Sequence, residues 1–573
     1  MQGMSFCSSE GNKLIEKIDK ALETSRIMKD VECFGHLDRY TGSEDGEKAA
    51  ERIAKRMEEL GIPVEREIYQ VYRSLPGEAS IRIQGDSSEA IVPLTPYVYS
   101  GTAENLEAEL VFDRISATGG CSQKEQRARM AEFAGKIVLT YENSFAFACE
   151  AKRAGVLGVI TIWHADLAHH GTLGGVWGTP EPEDLACHYP RIPFVEITKS
   201  AGKELQKKLE EGPLTACLNV EMCQSIVSST MPVARIQGRS DKYVLVSGHY
   251  DSWYEGITDN GVANAAMMEI ARVFQENQEH LERSVVLAWW SGHSDGRFSG
   301  STWYCDSHYA DLRKNCVAHV NLDLTGCKNS EQIVARTAGS EGISYTADLI
   351  EKYTGKRPDV YIPMIRGADQ SFWGAYVPIT IMLKYEPLPE KRLSDCPSGG
   401  PWWHTPKDTI DKLDEKIMMR DAKINMEMLD DIQSAKMIPV NIPVFLEDLD
   451  GRLKKTLSGL APEFDTTEIC AEWNRTKEAL EKAAERAESI EDSDLFLKET
   501  VGKLLHIVYC RKAPYLHDYG DGFGIFGAIG RCKGITKDNT PLDVYVMAGS
   551  EYLRMKNRLC IGLREIQEQA ERI

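Results

Sequence analysis

Five positions in this 573-residue chain have the types and spacing for metal chemistry. "SGHYDSW" gives His249 and Asp251, and "GITDNG" gives Asp259. "NLDLTG" gives Asp323, and "PWWHTPKDTIDKLD" gives His404. Imidazole and carboxylate together suit a divalent ion, Zn²⁺ above all, with Mn²⁺, Co²⁺ or Fe²⁺ as alternatives. Side chains two apart on a strand share a face, so Asp251 is placed to hold the ring of His249 or the ion's solvent. A fifth stretch, "SGHSDGRFSGS", follows the apolar run "SVVLAWW" and sets His293, Ser294 and Asp295 in a row. His293 is suited to acid/base work or to metal ligation, because a free imidazole exchanges its proton near neutrality. Asp295 is read as a metal ligand or an orienting group. Arg297 is read as binding a substrate carboxylate or pairing with Asp295.

The elements that must position these residues are strands alternating with helices. "YVLVSGHYDSW", "SVVLAWWSGHSDG", "NCVAHVNLDLTG" and "YVPITIML" are nearly continuous apolar runs, and "GVANAAMMEIARVFQEN" has helical apolar spacing. That pattern predicts an α/β domain, a mostly parallel sheet between helices, whose ligands gather beyond the carboxyl ends of the strands. Residues 10–72 read as two helices and the start of a strand, with Ala50, Ile53, Met57 and Leu60 on one stripe and Gly61 as a C-cap. Residues 81–230 change to short strands, with "SFAFACEAKRAG" as a helix and a long Gly/Pro loop carrying His169 and His170, taken as surface residues. The tail is helical through "TTEICAEWNRTKEALEKAAERAESI" and Gly-rich over 515–545. The expected division is 1–80 with 231–440 as the metal-binding domain, 81–230 as a small α/β insert, and 441–573 as a helical C-terminal domain.

Composition narrows the partners. A formal charge of −20 argues against nucleic acid or an anionic membrane surface. No apolar run has the length of a signal core or a membrane span. Fifteen scattered cysteines without a CxxC pair read as reduced thiols, and a cytoplasmic location is expected.

Taken in order, "SGHYDSW…TDNG", "WWSG…GS", "NLDLTG" and "HTPKDTIDKLD" resemble the co-catalytic di-zinc aminopeptidase family, the group that includes glutamate carboxypeptidase and the transferrin receptor. "GSEDGEKAAERIAKRMEELG" is similar to that family's N-terminal helix, and the 81–230 insert resembles a protease-associated domain. The tail resembles the dimerisation domain of the glutamate carboxypeptidase branch, which implies a homodimer. The resemblance implies that His249 and Asp323 bind one metal, that Asp259 bridges two, that His404 binds the second, that Asp251 supports the site from behind, and that Asp369 supports it as well. The family places two adjacent glutamates after "WSG", the first a general base and the second a metal ligand. Here that pair is missing. Counting from the strand puts His293 at the base and Ser294 at the ligand; counting back from Gly300–Ser301 puts Ser294 at the base and Asp295 at the ligand.

The reading is a metal-dependent hydrolase of an amide-type C–N bond in a peptide, small amide, cyclic amide or ureido compound. Metal-activated water would attack, with His293 moving the proton. Tyr385, Arg366 and Trp403 are candidate substrate-binding residues beside Arg297. The alternatives are a non-catalytic binding protein on the same scaffold, or a metalloenzyme with lyase-type chemistry.

Overall fold

The computed structural model describes residues 21–85, 91, 94–117, 129–337, 339–358, 369, 372–389, 400–519 and 526–572. The first described elements follow from local chemistry. Helix Glu44–Glu59 starts where the Ser43 hydroxyl accepts from the Gly46 N–H, and acidic Glu44, Asp45 and Glu47 face its positive end. It buries Ala50, Ile53 and Met57, and the chain leaves it through Gly61 at φ 72°, the left-handed turn that glycine takes without strain.

Twelve strands form one sheet among the described residues. They are β1 (Val64–Ile83), β2 (Leu94–Pro96), β3 (Ala103–Phe112), β4 (Ile137–Thr140), β5 (Gly158–Ile162), β6 (Phe194–Ile197), β7 (Leu214–Ile236), β8 (Ser240–His249), β9 (Arg283–Trp290), β10 (Cys316–Asn321), β11 (Gln332–Thr337) and β12 (Thr380–Glu386). Their order is β11-β12-β10-β8-β9-β7-β3-β4-β5-β6-β2, with β1 paired to β7. β12, β10, β8 and β9 are mutually parallel, as are β3, β4, β5 and β6. The sequence pattern does not reveal β11, which closes the edge antiparallel to β12.

The two parallel halves are joined by one long ribbon. The early part of β7 pairs with β3, from Leu214 opposite Leu110, and its end pairs with β9, through Ile236 opposite Val285. β1 lies antiparallel to β7 from Val64↔Ala234 to Ile83↔Ala216. Residues 80 and 230 therefore lie inside strands.

β9 and β10 are buried at every position, as strands covered on both faces must be. Helix Val262–Glu276 is buried through Phe274. The C-terminal helices Ile442–Leu457, Thr467–Arg486 and Leu542–Arg572 share the core of this half, with Leu480 and Leu563 in the same cluster as Val246 and Leu287. A buried ion pair ties the short helix Ile490–Phe496 to β9: Arg283 Nη2 lies 2.7 Å from Asp494 Oδ1, with both side chains fully enclosed. The Thr start of helix Thr467–Arg486 is found at Thr466, but no side chain caps it; Thr467 bonds Asp465 instead.

Candidate metal centre and its cavity

β8 ends at His249, and the ring is fixed before any ligand arrives. Its Nδ1–H donates to the backbone carbonyl of Asp251 at 2.9 Å. Its Nε2 faces Asp259 Oδ1 at 3.0 Å and Asp323 Oδ1 at 3.6 Å. Asp259 sits in the turn before helix Val262–Glu276, where the Asp408 carboxylate accepts from the Thr258 and Asp259 N–H groups. Asp323 follows β10 directly. His404 Nε2 lies 3.1 Å from the other oxygen of Asp259. Four of the five residues expected to hold metal, His249, Asp259, Asp323 and His404, are thus brought together.

His249 Nε2, Asp259 Oδ1 and Asp323 Oδ1 are buried and have no hydrogen-bond partner. Buried polar atoms are nearly always paired, so a nitrogen and two carboxylate oxygens left open toward one point fit a divalent cation. Burial opposes charge on His249, yet Asp259 and Asp323 hold its pKa well above the ordinary value. Burial likewise opposes charge on Asp259, and His249 and His404 hold it well below. Ligand atoms of His249, His293 and Asp323 lie within 4.8 Å of one another.

The loop after β9 is arranged differently. The His293 ring stacks on His249, centroids 3.8 Å apart and planes 9° from parallel. Its Nδ1 makes a short contact with Asp369, whose other oxygen accepts from the Ser301 hydroxyl. Burial opposes charge on Asp369, and His293 pulls its pKa below the usual carboxylate range. Asp251 accepts from the His293 N–H at 3.0 Å and the Ser294 N–H at 3.4 Å. So the backbone of Asp251 holds the histidine ring, while its carboxylate holds the neighbouring loop. The carboxylate of Asp295 is turned to Thr41, accepting from its hydroxyl and its N–H. Burial, then Asp251, pushes Asp295 up to about 7. Arg297 and Phe298, both left-handed at φ 49° and 65°, carry the chain into helix Ser299–Ser307.

A cavity of about 280 Å³ lies over this centre, lined by His293, Ser294, Arg297, Trp403 and His404 from one side. Tyr97, Trp163, His169 and His170 of residues 81–230 line the other. His169 and His170, expected at the surface, are enclosed. His169 is 3% exposed, stacks on Trp163 at 3.6 Å, and sets Nδ1 2.6 Å from Glu196 Oε1. Burial pushes the Glu196 pKa up and that of His169 down. The backbone of His170 reaches the metal centre: its carbonyl accepts from His404 Nδ1–H at 2.7 Å, aiming Nε2 at Asp259. Trp403 stacks on His404 at 3.5 Å.

Two expected residues lie elsewhere. Tyr385 is buried in the core, its hydroxyl accepting from Asn425. Arg366 lies outside the described residues. Sequence reasoning missed Thr41, Asp408 and Arg39, whose guanidinium donates to the carbonyls of Tyr250, Glu255 and Gly256 and holds the loop after β8. Asp408 stands in the quoted "HTPKDTIDKLD", four residues past His404, and that motif was its signal.

The chain is 25% identical to aminopeptidase NAALADL1 of Mus musculus over 323 residues, 50% of this chain and 41% of that protein. It is 31% identical to an aminopeptidase of Pseudomonas aeruginosa over 230 residues, 39% of this chain and 40% of the relative. The chain thus spans under half the length of these curated relatives. In fold it is similar to the aminopeptidase from Aneurinibacillus sp. strain AM-1, with a TM-score of 0.55 and 22% identity over 72% of this chain and 94% of that one. It is also similar to BSAP, a zinc aminopeptidase from Bacillus subtilis, with a TM-score of 0.52 and 20% identity over 71% of this chain and 94% of that one. The model of peptidase family M28 matches residues 233–429, the segment that carries every open ligand atom of the metal centre.

Proposed function

We propose that the chain is a metal-dependent hydrolase cleaving an amide-type C–N bond in a peptide or small amide. The observation that carries this reading is the convergence of three unpaired buried atoms, on His249, Asp259 and Asp323, beneath the cavity that His293 lines. The donor set suits Zn²⁺, and the fold is shared with a zinc aminopeptidase. His249, Asp259 and Asp323 would hold one ion tightly. A second position beside His404 has only Asp259 to share, because Asp295 is bonded to Thr41. The bound ion supplies a Lewis acid that activates water and offsets charge on the carbonyl oxygen.

The rest falls to the chain's own groups. His293, tied through Nδ1 to Asp369, offers its other nitrogen to take a proton from the attacking water and pass it to the leaving amine. Asp369 fixes the ring's orientation and, held ionised, stabilises the imidazolium. Asp251 and Asp408 position the loops that carry His293 and Asp259. Trp403, Trp163 and Trp253 wall the cavity and limit water.

The same reading takes residues 81–230 as a protease-associated insert. It takes the exposed apolar face of helix Leu542–Arg572, with Val546, Met547, Leu553 and Ile561, as a homodimer contact. It places the chain in the cytoplasm, where the free buried thiols Cys305, Cys316 and Cys327 stay reduced. No helix among the described residues is long and apolar enough to cross a membrane.

The test is turnover in ¹⁸O-labelled water after removal and return of zinc, across dipeptides, N-acyl amino acids and small amides. Zinc-dependent release of an amine with label in the new carboxyl group is expected. A zinc-dependent product without label, or no turnover across the panel, contradicts the proposal.

A further inference from the structure

Arg297 enters the cavity from the loop after β9, and it is the one Lys or Arg among the described lining residues. Its side chain is held on a built support. Nε donates to the carbonyl of Gly174 at 3.0 Å, and the guanidinium carbon lies 4.3 Å from the centroid of the Phe298 ring. Its backbone carbonyl accepts from the Gly178 N–H at 2.6 Å. A Cβ on Gly174 would stand 2.7 Å from Arg297 Cγ, so glycine lets the loop of residues 171–178 close over the arginine stem.

This support gives the guanidinium no countercharge. Among the described residues no carboxylate pairs with it. Asp295, two positions away, is bonded to Thr41, and Asp369, within electrostatic reach, is bonded to His293 and Ser301. Arg297 is half-buried, and a partly desolvated cation without a partner is costly. Arginine stays charged, and its planar fork matches a carboxylate through two parallel hydrogen bonds. The acidic chain, at −20, makes an unpaired cation here a local exception rather than part of a basic surface.

We propose that Arg297 anchors a free carboxylate of the substrate through its terminal nitrogens. The preferred compounds are then small acids whose scissile C–N bond lies within one residue of a carboxylate: dipeptides and N-acylated amino acids rather than long or C-terminally blocked peptides. A cavity of about 280 Å³, at the small end of ligand sites, and its tryptophan walls fit one such side chain. This specificity rests on the hydrolase reading, but the anchor itself is a binding property and can be measured without turnover.

The experiment is calorimetric binding of N-acetyl derivatives of alanine, leucine, phenylalanine and glutamate, each as free acid and as C-terminal amide, to the zinc-loaded protein and to Arg297→Met and Arg297→Lys. The wild type should bind acids about 10- to 100-fold more tightly than amides, as charge-assisted hydrogen bonds predict. Arg297→Met should erase the difference at unchanged zinc content, and Arg297→Lys should keep part of it. No preference for acids across the panel in the wild type overturns the proposal, whatever the variants do. So does an undiminished preference in a folded Arg297→Met. A clear preference for acids in a protein that hydrolyses none of the matching dipeptides would leave the anchor standing and sink the hydrolase reading instead.

Discussion

The metal-facing residues and the loop 292–298 lie side by side, yet their hydrogen bonding is opposite in kind. His249 Nδ1 is held by the Asp251 carbonyl and Asp259 Oδ2 faces His404 Nε2, while His249 Nε2 and the Oδ1 atoms of Asp259 and Asp323 are buried without a hydrogen-bond partner. In the loop, the side chains that stand near the family's missing glutamates are already committed: His293 to Asp369, and Asp295 to Thr41. The first region is built to receive a cation. The second holds a fixed imidazole over it and supplies no further carboxylate. The difference teaches that the open atoms and the fixed imidazole come from separate hydrogen-bond networks, one centred on Asp259 and the other on Asp369.

The comparison breaks most completely at Asp259. Asp259→Ala removes the one carboxylate that faces both His249 and His404. Zinc content should fall to background and turnover by on the order of 10³-fold or more, the loss of several kcal/mol of charge stabilisation. Zinc retained in that variant would mean that the ligand side has been misassigned. His293→Ala tests the other region. Zinc should stay bound while kcat falls roughly 10²- to 10⁴-fold, the contribution of a positioned acid/base group. Loss of zinc with His293 would make it a ligand instead.

Asp369→Asn is expected to cost less, about 10- to 100-fold in kcat. The ring loses the carboxylate that orients it through Nδ1, and an undiminished kcat in that variant would show that the pair is only structural. The smallest effect belongs to Asp295. Burial pushes its pKa up to about 7, so between about pH 4 and pH 7 the folded state holds a proton that the unfolded state has released. Stability of the metal-free protein should therefore fall as pH rises through that window, by at most about 1.4 kcal/mol per unit from this group. Asp295→Asn should flatten that slope by one proton and leave zinc content unchanged. A drop in zinc would place Asp295 among the ligands.

The gathering of His249, Asp259 and Asp323 was legible in the sequence because its logic is local. Buried apolar strands end abruptly in His249, Asp323 and the turn to Asp259, and parallel topology brings those ends together. The loop was not legible, because its outcome depends on partners far away in the chain. Thr41, from the turn before helix Glu44–Glu59, decides where Asp295 points. His169 and His170 read as surface residues of a glycine-rich loop, and only contact with His404 across more than two hundred positions shows them as cavity wall. Tyr385 fails for a reason of register: on β12 its ring joins the helical core and its hydroxyl meets Asn425. Gly562, which would read as a break, sits inside helix Leu542–Arg572 because a Cβ there would stand 2.5 Å from Ile507.

Zinc per chain, measured by elemental mass spectrometry on the wild type and on His293→Ala and Asp295→Asn, tests the division between ligand side and proton side most directly. Close to one equivalent in all three is the result this account predicts. Two equivalents in the wild type falling to one in either variant would show that the loop supplies a ligand after all, and none in the wild type even after titration with zinc would contradict the metal centre itself.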